Sequence, residues 1–193
     1  VFSDGTILFD IEGEPSGIIS QAPEMIPRIG VKLRLNKACE NVRWYGKGPG
    51  ESYPDSKESQ LFGFYENNVD GLFTNYVKPQ ENGSRSSCSW TRLLNDRGMG
   101  LMVYSQDKFD FSARFFEDSD LEYARHTPDL KKRDYITLNI DYKQNGLGSN
   151  SCGQSQLDKY KCRFEKFRLS LKISLYNNKE INDLDLAGEK IIF

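Results

Sequence analysis

The sequence lacks the features that define several protein classes. It has one histidine and four cysteines in 193 residues, and no Cys-x-x-Cys pair, which disfavours zinc knuckles and thioredoxin-type redox sites. No apolar run approaches the ~18 residues of a membrane span. The 26 Lys and Arg residues nearly balance the 28 Asp and Glu residues, so the basic surface that nucleic-acid binding requires is missing. We therefore expect no nucleic acid and no membrane among its partners.

The remaining composition is typical of a soluble globular protein. Aromatic residues make up 12% of the chain, too many for a disordered chain of this polarity. Four cysteines are too few for a disulfide scaffold, so we expect reduced thiols in a cytoplasmic protein. The chain begins Val1-Phe2 without a methionine or a signal-peptide pattern. This beginning suggests a piece of a longer protein.

Four segments alternate apolar and polar residues with a period of two, namely residues 31–35, 109–115, 136–142 and 167–175. This pattern predicts antiparallel strands with one buried and one solvated face. A β-bulge at Glu165-Lys166 is expected to correct the register before the last segment. One short helix is predicted from Ser119, with Glu122 completing a capping box. With no repeat and no linker, we predict an all-β sandwich that forms a single domain over residues 1–193.

The sequence shows no catalytic set. His126 limits the chain to one Ser-His-Asp or Cys-His site, and its place after the predicted helix favours a surface or capping role. Four carboxylates lie near aromatic or glycine-rich turns, and we interpret each as a surface or turn-capping group: Glu51, Asp55, Glu81 and Asp141. No spacing of metal ligands is present.

Two segments have unusual local chemistry. In residues 41–55, Trp44, Tyr45 and Tyr53 have side chains that stack on sugars, although pinning this loop to the core is the favoured interpretation. Residues 146–153 form a small and polar stretch that predicts a tightly bent loop. A binding or rim loop is favoured there over a phosphate cradle, and an ordinary surface loop is the remaining alternative.

These segments together resemble a known family. Residues 44–55 match the pattern Trp-x-Gly-x-Gly-Pro-x-Glu-x-Tyr-x-Asp, and residues 76–85 match Tyr-x-x-Pro-x-Glu-Asn-Gly-x-Arg. Residues 27–30 read Pro-Arg-Ile-Gly, and residues 138–141 read Leu-Asn-Ile-Asp before Gly146-Leu147-Gly148. In this order, over residues 27–175, the motifs resemble the C-terminal β-sandwich of glycoside hydrolase family 2 β-galactosidases. The tail 177–193 matches less clearly.

The resemblance implies an antiparallel supersandwich, similar to galactose mutarotase, which in the family is longer than this chain. Val1 is then expected to lie inside the domain, with an early strand or two missing. The family's catalytic glutamates lie in a separate (β/α)₈ barrel, so no catalytic residue is expected here. No cofactor is expected in this chain, although whole family enzymes often use Mg²⁺ and a monovalent cation.

The resemblance also implies a site and partners. The family's loop after the Asn-x-Asp strand reaches the active-site mouth, and here it comprises Gly148, Ser149, Asn150, Ser151, Cys152 and Gly153. Cys152 or Gly153 stands where many members present a tryptophan. The expected partners are the remaining domains of a β-galactosidase, a galactoside such as lactose, and further copies of the enzyme in a homo-oligomer.

Two alternatives to an enzyme-completing domain stay open at this point. The first is a stand-alone carbohydrate-binding module, which needs an exposed aromatic platform at Trp44, Tyr53 or Trp90. The second is a purely structural domain that supports the barrel or an oligomer interface.

Overall fold

The computed structural model describes residues 1–148 and 154–177, and these residues are mostly β-strand. Two short helices and four single turns of 3₁₀-helix connect the strands. The strands are β1 (Ile7–Gly13), β2 (Arg28–Asn36), β3 (Asn41–Gly48), β4 (Leu61–Asn68), β5 (Arg85–Leu94), β6 (Met99–Arg114), β7 (Tyr135–Gln144) and β8 (Phe167–Asn177). The helices are α1 (Val69–Leu72) and α2 (Asp118–Tyr123), and the 3₁₀ turns are Ile19–Gln21, Lys57–Ser59, Thr127–Asp129 and Asp158–Tyr160.

All strand pairs are antiparallel, and the sheet branches on the long strand β6. Residues 99–104 of β6 pair with β8, whereas residues 110–114 pair with β7. The first branch has the order β1-β8-β6-β5-β3-β4, and the second continues from β6 through β7 to β2. The predicted all-β antiparallel architecture is confirmed.

The main core lies between the two branches. Its buried side chains come from both, as the period-two pattern predicts for inward-facing positions. They include Val42, Trp44, Leu93, Val103, Phe109, Phe111, Ile136, Leu138, Ile140, Leu169, Leu171 and Ile173. Burying each such side chain contributes about 1.5–3 kcal/mol. Leu175 continues the pattern of β8 in sequence but is exposed.

The second face of β6 and β7 differs from the prediction. The polar side chains expected to be solvated are fully buried, at Ser112, Arg114, Thr137, Asn139 and Asp141. Asn139 donates to Ser112 at 3.2 Å, and Arg114 donates to Glu81 at 3.0 Å. Glu81 belongs to residues 76–86, which run into the start of β5 and are hydrogen-bonded to residues 49–56, which follow β3. We call these two segments the crossing segments. A period-two pattern identifies the apolar face but cannot show that loops cover the polar one.

Two local predictions are also corrected. β8 begins at Phe167, so no bulge at Glu165-Lys166 is needed, and Cys162 lies in the preceding loop. The backbone N–H of Cys162 donates to Asn145 Oδ1 at 3.1 Å, and this bond takes the place of a strand pairing. Helix α2 begins at Asp118, because the N–H of Glu117 donates to the carboxylate of Asp120 at 2.9 Å. Its capping pair is therefore Glu117–Asp120 instead of Ser119–Glu122.

Three of the cysteines, Cys39, Cys88 and Cys162, are free thiols. Within residues 1–148 and 154–177, no helix has the length and apolar content to cross a membrane.

Candidate functional site

The two crossing segments are bonded to each other by buried serines. The N–H of Ser52 donates to the carbonyl of Ser84 at 2.8 Å. The N–H and hydroxyl of Ser86 both lie 2.9 Å from the hydroxyl oxygen of Ser52. All three residues are buried. Two sequence motifs separated by about 30 residues are thus joined into one structural unit.

Glu51 fixes the turn within the second crossing segment. Its carboxylate accepts hydrogen bonds from the hydroxyl of Tyr76 and from the N–H of Gly83, the latter at 2.8 Å. Burial and the hydrogen bond to Glu51 raise the pKa of Tyr76, so this phenol donates at every physiological pH. Gly83 has φ +77°, and a Cβ there would lie 2.8 Å from the carbonyl oxygen of Leu72. The motif needs glycine for both reasons.

We expect Gly83→Ala to lower the free energy of unfolding more than Gly17→Ala does. Both glycines have left-handed backbones, but nothing lies within 4 Å of a Cβ at Gly17. Left-handed strain of about 1–2 kcal/mol is common to both variants, and the clash with Leu72 adds about 1 kcal/mol at Gly83 only. Urea unfolding of the two variants measures this difference. Equal losses would show that the turn yields to a Cβ.

Glu81 is the central anion of the site. Its carboxylate accepts from the hydroxyl of Tyr53 at 3.1 Å and from Arg114 at 3.0 Å, and it forms a 2.8 Å ion pair with Arg28. Arg114 also bonds to Asp118 at 2.6 Å. We call the group formed by Arg28, Tyr53, Glu81, Arg114 and Asp141 the polar layer. It lies between the crossing segments and strands β2, β6 and β7.

Asp141 is the most unusual member of the polar layer. It is 1% exposed, and neither carboxylate oxygen has a hydrogen-bond donor among the described residues. Burial raises its pKa to about 7 despite Arg28 at 3.6 Å, and the charges of Glu81 and Asp110 act in the same direction as burial. Burial likewise raises the pKa of Asp110 to about 6, although the N–H of Ser87 donates to it at 2.9 Å. Two neighbouring carboxyl groups therefore titrate close to neutral pH.

Arg85, the last residue of the second motif, is buried beneath Trp44. Its guanidinium group donates to the carbonyls of Gly83 at 2.8 Å and Leu72 at 3.2 Å, and lies 5.4 Å from the centre of the Trp44 ring. Burial lowers its pKa to about 10, which still leaves it charged at neutral pH. Arg85 therefore links the second crossing segment to the main core.

The glycine-rich loop after β7 is held at its base by Asp55, the last residue of the first motif. The carboxylate of Asp55 accepts from the N–H of Leu147 at 3.2 Å and of Gly148 at 2.8 Å. A Cβ at Gly146 would lie 2.6 Å from the same carboxylate, so the close approach requires glycine. On the other side of the loop, Gln156 donates to Asn145 at 2.8 Å.

Of the six predicted rim residues, the structure describes Gly148 alone. Gly148 lies at the loop base, in contact with Asp55. The other predicted rim residues, Ser149, Asn150, Ser151, Cys152 and Gly153, lie outside the described residues. His126 is exposed and precedes a 3₁₀ turn, which confirms its surface position. Among the described residues, no group of three or more His, Cys, Asp or Glu side chains is placed to hold a metal ion.

The structure excludes one alternative for the candidate aromatic residues and corrects the interpretation of Asp141. Trp44, Tyr53 and Trp90 are all buried, at 1%, 1% and 2% exposure, so they cannot form an open sugar platform. The favoured interpretation, in which Trp44 and Tyr53 pin the loop to the core, is confirmed, because both side chains are buried and the Tyr53 hydroxyl donates to Glu81 at 3.1 Å. Asp141 is buried in the polar layer and is not the surface or turn-capping carboxylate we predicted.

The sequence patterns did not reveal the arginines of the site as a set. Arg28 and Arg85 stand inside the Pro-Arg-Ile-Gly and Glu-Asn-Gly-x-Arg motifs, and this position is the signal that could have found them. Arg114 carries no such signal, because it follows the polar phase of an ordinary strand pattern. Its importance depends on its contacts with Glu81, which lies 33 positions earlier, and with Asp118, which lies four positions later.

The fold and the site together define a β-sandwich domain whose sequence motifs converge on one polar layer and on the base of one loop. The family described as "Beta galactosidase small chain" matches residues 1–173, so the chain belongs to the β-galactosidase small-chain family.

Curated relatives agree with this assignment. A β-galactosidase of Actinobacillus pleuropneumoniae is 34% identical over 169 residues, which cover 88% of this chain and 16% of the relative. A β-galactosidase of Kluyveromyces lactis is 32% identical over 152 residues, covering 79% of this chain and 15% of the relative. One of Priestia megaterium is 28% identical over 156 residues, covering 81% and 15%. The chain therefore spans about one sixth of the length of these relatives.

Proposed function

We propose that this chain acts as the C-terminal domain of a β-galactosidase that hydrolyses terminal β-D-galactosides such as lactose, and that it completes the enzyme's fold and active-site rim. The reaction would proceed with retention on two glutamates that lie outside the chain. Any Mg²⁺ or monovalent cation would belong to the remaining domains. The free thiols of the described cysteines suit a cytoplasmic enzyme.

One observation carries this proposal: Asp55 joins the first motif to the base of the glycine-rich loop. Two charge-assisted hydrogen bonds from backbone N–H groups fix where the loop leaves the sheet. The polar layer holds the crossing segments in place behind it. Such a support suits a loop, Gly148 to Gly153, whose role is to position a galactoside and exclude water without supplying a reacting group.

The first experiment is hydrolysis of a chromogenic β-galactoside by the chain alone and by the chain mixed with the remaining domains of the enzyme. We expect no activity from either part and activity on mixing. Activity from the chain alone would place a catalytic pair within it. Absence of hydrolysis after mixing, with the complex shown to form, would contradict the proposal. Galactose binding by the isolated chain would instead favour a stand-alone carbohydrate-binding module.

Asp55→Ala tests the loop support in the mixed enzyme. Loss of two hydrogen bonds to a charged group, partly replaced by water, is expected to lower kcat/KM about tenfold. The melting temperature of the isolated chain should change little, because Asp55 bonds to the loop base and not to the core. Asp134→Ala, at an exposed aspartate before β7, is the matched control and should leave kcat/KM unchanged. Full activity in Asp55→Ala would show that the loop does not depend on this carboxylate.

A further inference from the structure

The outer face of the first branch carries a cluster of aromatic side chains that is buried at its centre, at Trp90, and exposed toward the β4 edge. It comprises Tyr45, Phe62, Phe64, Trp90 and Tyr104 on strands β3, β4, β5 and β6, and we call it the aromatic face. Paired positions place these residues on one side of the sheet, opposite the main core. Phe62 and Phe64 are 42% and 46% exposed. Adjacent exposed aromatics on a sheet are a mark of an interaction surface.

The ring geometry of the aromatic face does not suit a sugar. Tyr45 stacks on Phe64 with centroids 4.3 Å apart and planes 15° from parallel. Phe62 meets Tyr45 edge-on at 4.6 Å, and the Lys108 ammonium lies 4.6 Å from the centre of the Phe62 ring. A carbohydrate platform needs open ring faces, and these contacts occupy them. The exposed ring edges suit the side chains of another protein surface.

The two edge strands of this branch differ in a way that supports a protein interface at one of them. β1 carries outward charges, with Asp10 paired to Arg168 at 2.7 Å, and such charges protect an edge from association. β4, the opposite edge, presents Phe62 and Phe64 on the same outer face. An exposed apolar edge is a surface that natural sheets normally cover.

Lys108 places a positive charge at the aromatic face. Its ammonium bonds to the hydroxyl of Ser89 and lies over the Phe62 ring. Among the residues that the structure describes, its contacts are with this hydroxyl and with the rings of Phe62 and Tyr45, and none of them is an ion pair. A surface that docks here would gain from a carboxylate placed opposite this ammonium.

We propose that the aromatic face docks against another domain of the same β-galactosidase, through a mainly apolar surface that presents a carboxylate to Lys108. The inference rests on the proposed function. The matched relatives are about six times longer than the chain, so most of such an enzyme lies outside it and is available to cover this face. A second copy of the chain and a carbohydrate are the competing occupants.

Binding of the chain to the remaining domains of the enzyme tests this proposal. We expect the double variant Phe62→Ser, Phe64→Ser to raise the Kd at least tenfold, since half-exposed aromatics are removed from the interface centre. Lys108→Glu should also raise the Kd several-fold, and this variant keeps every apolar side chain of the aromatic face. Tyr123→Ser, at an exposed aromatic on α2, is the matched control and should not change the Kd. Melting of each free variant confirms that it is folded.

Three results would overturn the proposal. They are an unchanged Kd in both variants, a dimer of the isolated chain that the double variant abolishes in sedimentation, and galactoside binding by the isolated chain that the double variant abolishes. If the unmodified chain does not bind the remaining domains, the proposed function fails and this inference fails with it. Binding that survives in the variants rejects the aromatic face alone.

Discussion

Glu81→Ala is expected to lower the free energy of unfolding of the chain by about 2–4 kcal/mol, a large part of the 5–15 kcal/mol typical of a domain. The substitution leaves the guanidinium of Arg114, which is 1% exposed, and that of Arg28 without their shared anion. An unpaired buried charge is costly, whereas the alanine itself costs little at this partly exposed position. The loss lies below the full cost of an isolated charge because Arg114 keeps Asp118 at 2.6 Å. Urea unfolding at pH 7 measures it.

Glu66→Ala is the matched control for this prediction. Glu66 pairs with Arg43 at 2.6 Å, but both side chains are exposed, so the loss should be below about 1 kcal/mol. Glu81→Gln should fall between the two variants, since the amide can accept a hydrogen bond but carries no charge. Equal losses in Glu81→Ala and Glu66→Ala would show that solvent compensates the arginines and that the polar layer does not depend on Glu81.

The strands could be predicted because one face of each packs on the core. The alternation in residues 136–142 places Ile136, Leu138 and Ile140 inward, and the structure buries all three. The same pattern gave no information about the opposite face. Thr137 and Asn139 are polar in either case, and whether water or protein covers them depends on segments that are distant in the chain. The alternation of apolar and polar residues along one strand cannot reveal burial that depends on distant loops.

The candidate site could be predicted as a set of motifs but not as a geometry. Resemblance identified residues 44–55, residues 76–85 and the loop after β7. It did not show that Asp55 binds that loop, that Glu51 bonds to Gly83, or that Glu81 bonds to Arg114. These contacts join residues 28 to 93 positions apart, and the spacing of side chains along a strand or turn does not encode them.

The carboxylates of the polar layer have opposite effects on stability. Glu81 has two guanidinium groups and a phenol as direct partners, so its charge is compensated. Asp141 lies deeper, has no hydrogen-bond donor among the described residues, and meets Arg28 only at 3.6 Å, while Arg28 keeps a closer partner in Glu81 at 2.8 Å. The attraction to Arg28 is therefore weaker than the cost of burial, and the neutral form of Asp141 is the one that the fold prefers.

This preference sets the pH dependence of Asp141. Its pKa is 3.8 in an unperturbed carboxyl and about 7 in the folded chain, so the folded state holds the proton more tightly. The stability that this proton provides is fully present below pH ~4 and is lost as the pH rises through 7. One pKa unit corresponds to about 1.4 kcal/mol, so the loss at pH 8 is about 2–4 kcal/mol.

Asp141→Asn should therefore stabilise the chain, and increasingly so at higher pH. The amide imitates the neutral carboxyl, and we expect the gain in free energy of unfolding to grow by about 2 kcal/mol between pH 5 and pH 8, then to level off. Comparing variant with parent cancels the carboxylates whose folded pKa is lowered, such as Asp118 and Asp120, which lose stability in acid. Asp134→Asn, at an exposed position, should show no such trend. Urea unfolding across this range measures the difference, and a gain independent of pH would mean that Asp141 stays ionised beside Arg28.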